Sequence, residues 1–500
     1  MAPQCTPSAE SASDKITTTV FRLFTFLSIV VLLGATLAAQ SSPPDRSKPP
    51  APGPTPVLRV PPVVKRTLSN GIPVWVVEVH EVPVVALSLL VRSGSSADPV
   101  GKFGLANLAA ALLDEGAGTK GALELADAVD YLGADLTTAS SFDASSVRLE
   151  VPVARLGDAL PLVADVAIRP AFPEKELERI RQERLTALLQ ARDDPASIVA
   201  AAFPRLVFGA THRYGTTAVG MPETVKALSV DDLKNFHAAH YRPDNAALIV
   251  VGDVTTDALM PLLEKAFGGW KNPPGPKPGV TLPPASQLKT RRVFLIDKPG
   301  AAQSQIRIGW IGVSRSTPDY FAIEVANTIL GGSFTSRLNQ NLREEHGYAY
   351  GARSGFDMRL TPGPFLAAAG VQTDKTAEAL KEFFIELDGM RKLIPAEELN
   401  KAKNYVALGF PSEFETTADI SRHLAEVLIY NLPENYVSTF IPNVQAVTAA
   451  AVQGVVEKYI QPDKMAVVVV GDLKVIEAPV RALNLGPVRV VPLAEVMGTP

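Results

Sequence analysis

The sequence contains one cysteine, Cys5, and only six histidines among its 500 residues. A single cysteine excludes a disulfide within the chain and any metal site built on several thiolates. The sequence also lacks a basic excess, because the net charge is −4 at pH 7. Without a stripe rich in Lys and Arg there is no electrostatic case for a nucleic-acid partner.

The N-terminal segment has the pattern of a secretory signal. Lys15 and Arg22 precede an apolar run over 23–33, and small residues follow up to residue 39. The run is short for a membrane span, which needs about 20 residues, so a cleaved signal and a retained anchor both stay open. A Pro-rich stretch follows and predicts an extended tether. We expect the mature chain to be exported, and to lie in the periplasm or be anchored facing it.

An internal repeat divides the rest of the chain. Pro243-Asp244 and Gly252-Asp253 recur, at one constant interval, as Pro462-Asp463 and Gly471-Asp472. The interval is far too long for a solenoid unit, so the repeat indicates a duplicated domain. A Pro/Gly-rich segment, 271–290, lies between the copies and predicts a linker.

Strand and helix patterns do not alternate strictly in either copy, which favours an α+β fold over a doubly wound sheet. We predict two homologous lobes, each a mainly antiparallel sheet packed with helices, which the linker joins into a clamshell. A cleft between such lobes is a usual place for a ligand. The predicted boundaries are a signal peptide or anchor at 1–40, a tether at 41–63, a first lobe at 64–270, the linker at 271–290, a second lobe at 291–480 and a C-terminal tail at 481–500.

Several segments resemble, in order, the insulinase/pitrilysin zinc peptidases, and more closely the bacterial and mitochondrial-processing-peptidase branch of that family. The resemblance covers 64–473. The segments that carry it are Leu68–Gly71, Val91–Pro99, Gly101–Asn107, Leu113–Gly116, Tyr241–Asn245 with Val250–Asp253, and Leu330–Tyr350.

Active members of that family carry H-x-x-E-H on a helix, where two His bind zinc and the Glu activates a water. The resemblance aligns this motif with 107–111, which here begins at Asn107 and ends in Ala110 and Ala111. Asn is a poor zinc ligand and Ala has no ligand atom, so we predict a degenerate metal motif. The family's further zinc ligand aligns within 183–190, where Glu183 is a candidate.

No pair of histidines elsewhere in the sequence brackets a carboxylate at the required spacing. His237 and His240 are three residues apart on a predicted helix, which is a spacing that can bind a metal. The alternative is that both are ordinary structural side chains of that helix.

The second lobe keeps another feature of the family. The resemblance implies that an Arg and a Tyr, with six residues between them, hold the substrate at its scissile carbonyl, and Arg343 and Tyr350 have that spacing. A Tyr hydroxyl can donate to a developing oxyanion. The structural alternative pairs Arg343 with a neighbouring acid such as Glu344 and places Tyr350 in a strand core. Tyr348 is a second candidate for the tyrosine.

These features together predict a noncatalytic, substrate-binding subunit of a heterodimeric zinc endopeptidase that acts on peptides. This chain is expected to hold no cofactor, and a homologous partner subunit is expected to hold the zinc. One alternative is a structural or peptide-binding scaffold with no role in catalysis. Another is an autonomous peptidase with a remodelled metal site.

Overall fold

The computed structural model describes residue 53, residues 61–277 and residues 279–499. The predicted signal or anchor at 1–40 and nearly all of the tether at 41–63 lie outside the described residues. Among the described residues no single helix is long and apolar enough to cross a membrane. One bent pair, Tyr436–Ala446 with Ala449–Lys464, meets the length and composition criteria only when its two helices are taken together.

Two six-stranded sheets and one short hairpin contain the strands of the described residues. The strands are β1 Val63–Thr67, β2 Pro73–Glu78, β3 Val84–Val91, β4 Gly116–Ala117, β5 Lys120–Gly121, β6 Asp135–Ser140, β7 Ser145–Pro152, β8 Ala246–Gly252, β9 Arg292–Asp297, β10 Gln303–Ile311, β11 Ala349–Phe356, β12 Pro364–Gln372, β13 Ala466–Gly471 and β14 Val488–Val490.

The two sheets have matching topologies. The first has the strand order β1-β2-β8-β3-β7-β6 and the second has the order β14-β9-β13-β10-β12-β11. The repeated Gly-Asp segments end β8 and β13, which occupy the same place in the two sheets. Each of these strands pairs parallel with its neighbour β2 or β9, and antiparallel with β3 or β10. The predicted fold is therefore confirmed: an α+β chain of two similar lobes with mainly antiparallel sheets.

The two sheets differ in how one edge is completed. In the first sheet β1, from the N-terminal side, pairs antiparallel with β2. In the second sheet β14, from the C-terminal side, pairs parallel with β9. The structure thus differs from the predicted tail at 481–500, because this segment adds a strand to the sheet. Val491 and Val496 then bury their apolar side chains beside that sheet, which holds the segment in place.

The helices cover the sheets and connect their strands. They are α1 Leu105–Ala111, α2 Ala122–Tyr131, α3 Leu156–Ile168, α4 Glu174–Gln190, α5 Pro195–Phe208, α6 Pro222–Ala227, α7 Val230–His240, α8 Thr256–Phe267, α9 Tyr320–Asn327, α10 Arg337–Asn339, α11 Thr376–Gly389, α12 Ala396–Gly409, α13 Thr417–Tyr430, α14 Tyr436–Ala446, α15 Ala449–Tyr459, α16 Leu473–Ala482 and α17 Leu493–Met497. Two π-helical turns, 328–332 and 340–345, follow α9 and α10.

Each lobe covers part of the other lobe's sheet with one of its own helices. Helix α5 precedes the linker, yet Phe203 on it packs in one apolar cluster with Phe294 and Val468 of the second sheet. Helix α13 follows the linker, yet its Leu424 packs against Ile249 of the first sheet. This exchange buries apolar surface between the lobes, so the lobes support each other's cores.

The linker itself is hydrogen-bonded to the first lobe. The guanidinium of Arg242 donates to the carbonyl oxygens of Gly275 and Pro276, at 3.2 and 3.1 Å. The imidazole Nε2 of His212 lies 3.0 Å from the carbonyl oxygen of Pro283. The linker is therefore an ordered connection along its described residues.

Several ionisable side chains line one recess in the second lobe. Glu324 of α9 lines it together with Glu413, Glu426 and His423. Burial raises the pKa of Glu324 to about 7, although Arg315 opposes the shift. The folded pKa therefore lies above the value near 4.5 of an exposed Glu.

This shift predicts a pH-dependent effect of Glu324→Gln. Because the folded-state pKa is raised, folding favours the neutral carboxyl. Its contribution to the free energy of unfolding is fully present below about pH 4.5 and is lost as the pH rises through about 7. Near pH 8 the variant should be more stable than the wild type by roughly 2–3 kcal/mol, and the advantage should vanish at acidic pH. Urea unfolding of both proteins across this range measures it. An advantage that did not change with pH would contradict the assignment.

Candidate functional site

The helix that carries the degenerate motif is fixed at its N-terminus. The carboxylate of Asp98 accepts hydrogen bonds from the backbone N–H groups of Gly104 and Ala106, both at 2.8 Å. The guanidinium of Arg213 donates to the same carboxylate at 3.0 Å, and this ion pair is buried. An acid at this end satisfies the unpaired N–H groups of the first turn and the positive end of the helix dipole.

The three motif positions of α1 have no metal-binding geometry. The side-chain amide of Asn107 donates to the carbonyl oxygen of Ser140, at the end of β6, at 3.2 Å. Ala110 is buried and Ala111 is partly buried, and each presents only a methyl group. The methyl groups fit the packed interior but supply no electron pair to a metal.

Arg184 of α4 lies against the same helix. Its guanidinium Nη2 donates to the backbone carbonyl of Asn107 at 3.0 Å. Its Nη1 is buried and makes no hydrogen bond among the described residues. Burial lowers the pKa of Arg184 to about 10, so the group still carries a positive charge at neutral pH. This cation beside α1 was not predicted, and its only sequence signal is its adjacency to Glu183.

Glu183, the candidate for a further ligand, points elsewhere. Its carboxylate accepts a hydrogen bond from Arg179 at 2.9 Å and its side chain is largely exposed. The residues at the predicted metal position are thus an amide, two methyl groups and a guanidinium. This set does not fit a zinc ion, which needs deprotonated or neutral donor ligands.

The His237 and His240 pair has structural partners instead. The Nε2 of His237 lies 2.9 Å from the carbonyl oxygen of Ala167, and the Nδ1 of His240 lies 3.0 Å from the hydroxyl of Ser93. Burial lowers the pKa of both imidazoles, that of His240 to about 4. Among the described residues no group of three or more His, Cys, Asp and Glu side chains has an arrangement that could hold a metal ion.

Arg343 and Tyr350 come together at the second lobe. Arg343 lies in the π-helical turn 340–345, and Tyr350 lies near the start of β11. The guanidinium carbon of Arg343 is 5.4 Å from the centre of the Tyr350 ring and 4.2 Å from the Phe334 ring. Both distances are within the range of cation–π attraction. The sequence analysis did not predict a role for Phe334. The structure draws attention to it because its large aromatic side chain is exposed.

The structural alternatives for this pair are only partly realised. Arg343 does have Glu344 nearby, with Nε to Oε1 at 3.5 Å. Tyr350, however, is 89% exposed, so it is not part of a strand core. Tyr348 is partly buried and stacks on His346 with ring centres 5.0 Å apart. Tyr350 is therefore the tyrosine whose hydroxyl is open to a ligand.

A β-bulge explains the exposure of Tyr350. The pairing of β11 with β12 shifts register between Ala349 and Ala352. Such a bulge redirects side chains at a strand edge. The side chain of Asn339 stabilises it by accepting a hydrogen bond from the N–H of Ala352 at 2.9 Å. The adjacent turn needs Gly331, because a Cβ there would lie 2.3 Å from the backbone N of Ser354.

The side chains of Phe334, Arg343 and Tyr350 line one cavity of about 510 Å³. Its walls are β10, β11 and β12, the segment around Phe334 to Arg343, and the first turns of α5 at Ala196 and Val199. A cavity of this size can take a few residues of a peptide. Helix α5 belongs to the first lobe and the three strands belong to the second, so both lobes contribute to the wall of the cavity.

Two family models match the chain. The one described as "Insulinase (Peptidase family M16)" matches residues 74–211, and the one described as "Peptidase M16 inactive domain" matches residues 227–406. The chain is 26% identical over 410 residues to the zinc protease PqqE of Helicobacter pylori, which covers 81% of this chain and 88% of that protein.

Solved structures give the same result. A structure of a peptidase M16 inactive domain from Pseudomonas fluorescens has a TM-score of 0.76 and 28% identity, over 82% of this chain and 98% of that one. The periplasmic protease PqqL of Escherichia coli has a similar fold, with a TM-score of 0.70 and 16% identity over 85% of this chain and 50% of that one. The predicted resemblance is confirmed, and the chain belongs to the insulinase family of peptidases, peptidase family M16.

Proposed function

We propose that this chain is the noncatalytic, substrate-binding subunit of a heterodimeric zinc endopeptidase that acts on peptides. The observation that carries the proposal is the contrast between the two lobes. Arg343 and Tyr350 meet at the mouth of a peptide-sized cavity in the second lobe. The helix at the predicted metal position of the first lobe has Asn107 and Ala111 at the two zinc-ligand positions, and Ala110 at the position of the water-activating Glu.

The loss of catalysis in this chain follows from the chemistry of the motif helix. A zinc peptidase needs metal ligands and a group that takes a proton from the attacking water. Ala110 has no basic atom, and the positive charge of Arg184 next to Asn107 opposes a divalent cation. We therefore assign the zinc to a homologous partner chain.

The second lobe can still contribute to the reaction. The exposed hydroxyl of Tyr350 can donate to a peptide carbonyl as its oxygen becomes negative. Arg343, held against the rings of Phe334 and Tyr350, offers fixed donors for a neighbouring carbonyl. Neither role requires a metal in this chain.

The test combines metal analysis with activity. The purified chain is expected to hold well under one zinc per molecule and to cleave no peptide. Mixed with a homologue that carries H-x-x-E-H, it should give peptide cleavage that neither chain shows alone. One tightly held zinc in this chain alone, together with cleavage, would instead indicate an autonomous peptidase with a remodelled site.

The second candidate is a peptide-binding scaffold with no role in catalysis. The same missing ligands favour it, since a cavity without a nearby metal can bind a peptide and leave it intact. A stable homodimer that binds peptide, in an organism without a zinc-bearing homologue, would distinguish this candidate from the first.

We also propose an extracytoplasmic location for the chain. The charged, apolar and small-residue order of the N-terminal segment supports export. The similar fold of a periplasmic protease from Escherichia coli is compatible with this location. Fractionation of cells that express the full chain, with N-terminal sequencing of the product, tests export and separates a cleaved signal from a retained anchor.

A further inference from the structure

The cavity beside Arg343 and Tyr350 has an unbalanced charge. Three arginines line it, Arg307, Arg343 and Arg353, and the described lining residues include no Asp or Glu. Arg343 has Glu344 and two aromatic rings as neighbours. Arg307 and Arg353 make no ion pair with any of the residues that the structure describes. At Arg307 and Arg353 the cavity therefore contains positive charge that no carboxylate of the described residues matches.

The sheet register places Arg307 and Arg353 on one face. Arg307 of β10 is directly opposite Ala368 of β12, and Arg353 of β11 is opposite the same alanine from the other side. Residues directly opposite each other on neighbouring strands point to the same face. The two arginines therefore flank Ala368, with their Cα atoms about 10 Å apart.

The alanine between them matters because its methyl group leaves space above the sheet. Two long side chains can then lean towards each other over Ala368 and reach one ligand. Gln305, two residues before Arg307 on the same strand and so on the same face, adds an amide that can donate a hydrogen bond.

Arg307 is not a freely solvated surface cation. It is half-buried, and burial together with the charge of Arg353 lowers its pKa to about 10. Holding two like charges close in a recessed place is unfavourable unless an anion joins them. Guanidinium groups recognise carboxylates through paired N–H donors, which makes a carboxylate the natural ligand.

We infer that Arg307 and Arg353 form a carboxylate-binding subsite, next to Arg343 and Tyr350, that selects peptides with an acidic group. This inference rests on the proposed function for the presence of a peptide in the cavity. The carboxylate can come from an Asp or Glu side chain or from the peptide's C-terminus, because both offer the same pair of oxygens.

Equilibrium binding to the full chain tests the subsite. The probes are short coumarin-labelled peptides of one sequence, with Glu, Gln or Lys at a single position and with a free or an amidated C-terminus. The Glu peptide should bind about tenfold more tightly than the Gln peptide, and the preference should weaken as salt is added. If amidation of the C-terminus weakens binding and replacement of Glu by Gln does not, the subsite takes the C-terminal carboxylate.

Variants locate the effect. Arg307→Gln with Arg353→Gln should abolish the preference for the acidic peptide, and Arg307→Glu should shift it towards the Lys peptide. Arg391→Gln, an exposed arginine outside the cavity, is the matched control and should keep the preference. Thermal unfolding of each variant establishes that it is folded.

The outcomes separate this inference from the proposed function. Equal binding of Glu, Gln and amidated peptides, with cleavage by the heterodimer intact, would overturn the subsite and leave the proposed function standing. A preference for acidic peptides that survived the double Arg variant would also overturn it. A preference lost in that variant, with no cleavage by any heterodimer, would support the subsite while the subunit role fails.

Discussion

Replacing Tyr350 by Phe should lower the kcat of the proposed heterodimer about 100-fold, because a hydroxyl that stabilises an oxyanion acts mainly in the transition state. The hydroxyl is available to a substrate, since the Tyr350 side chain is 89% exposed and lines the cavity. The substitution removes one oxygen and keeps the ring, so the stacking beside Arg343 is preserved.

Arg343→Ala should act differently from Tyr350→Phe. A guanidinium that holds the substrate in both ground and transition states affects binding more than the chemical step, so KM should rise more than kcat falls. Steady-state kinetics of the reconstituted heterodimer, with each variant chain and the same zinc-bearing partner, measures both parameters.

Tyr348→Phe is the matched control for the tyrosine. It removes the same atom two residues away, from a ring that is partly buried and stacked on His346. Its kinetics should stay close to those of the wild type. If Tyr350→Phe and Arg343→Ala also left turnover unchanged, the proposed role of this pair would be wrong, and the scaffold function would become the better explanation.

Phe203→Ala should destabilise the whole protein by about 3–5 kcal/mol, the usual cost of truncating a fully buried Phe. Phe203 is 1% exposed and packs with Phe294 and Val468 of the second sheet, although its helix precedes the linker. The substitution therefore opens a cavity at the contact between the lobes. Both lobes should unfold in one transition, because each sheet is covered partly by a helix of the other.

Urea unfolding followed by far-UV circular dichroism and by tryptophan fluorescence measures this prediction, with Trp75 in the first lobe and Trp310 in the second. Leu189→Ala, at an exposed position of α4, is the control and should change stability by less than about 0.5 kcal/mol. Separate transitions for the two lobes, or a loss below about 1 kcal/mol for Phe203→Ala, would contradict mutual support by exchanged helices.

Sequence patterns predicted the elements with strong periodicity. The apolar, β-branched run at 84–91 predicts a strand and the pattern at 230–240 predicts a helix, and β3 and α7 have these bounds, Val84–Val91 and Val230–His240. Strands β6, β11 and β12, in contrast, were not predicted. The first alternates polar side chains at a sheet edge, and β11 carries Gly351, Gly355 and a bulge, so neither has an apolar strand pattern. Strands β11 and β12 line the cavity together with β10, and β6 ends at Ser140, which binds Asn107.

The sequence by itself determined which chemical groups are present: an Asn and two Ala at the positions predicted to align with the family's H-x-x-E-H motif, and an Arg and a Tyr at the family's spacing. It also indicated that one domain is duplicated, because the repeated residues can be read directly from the sequence. Only the tertiary structure decided which groups meet. Arg184 reaches Asn107, and Arg307 and Arg353 flank Ala368, across distances in sequence that no local pattern records. The physical reason is that strand register and helix packing depend on burial over the whole chain, whereas periodicity reports only local structure.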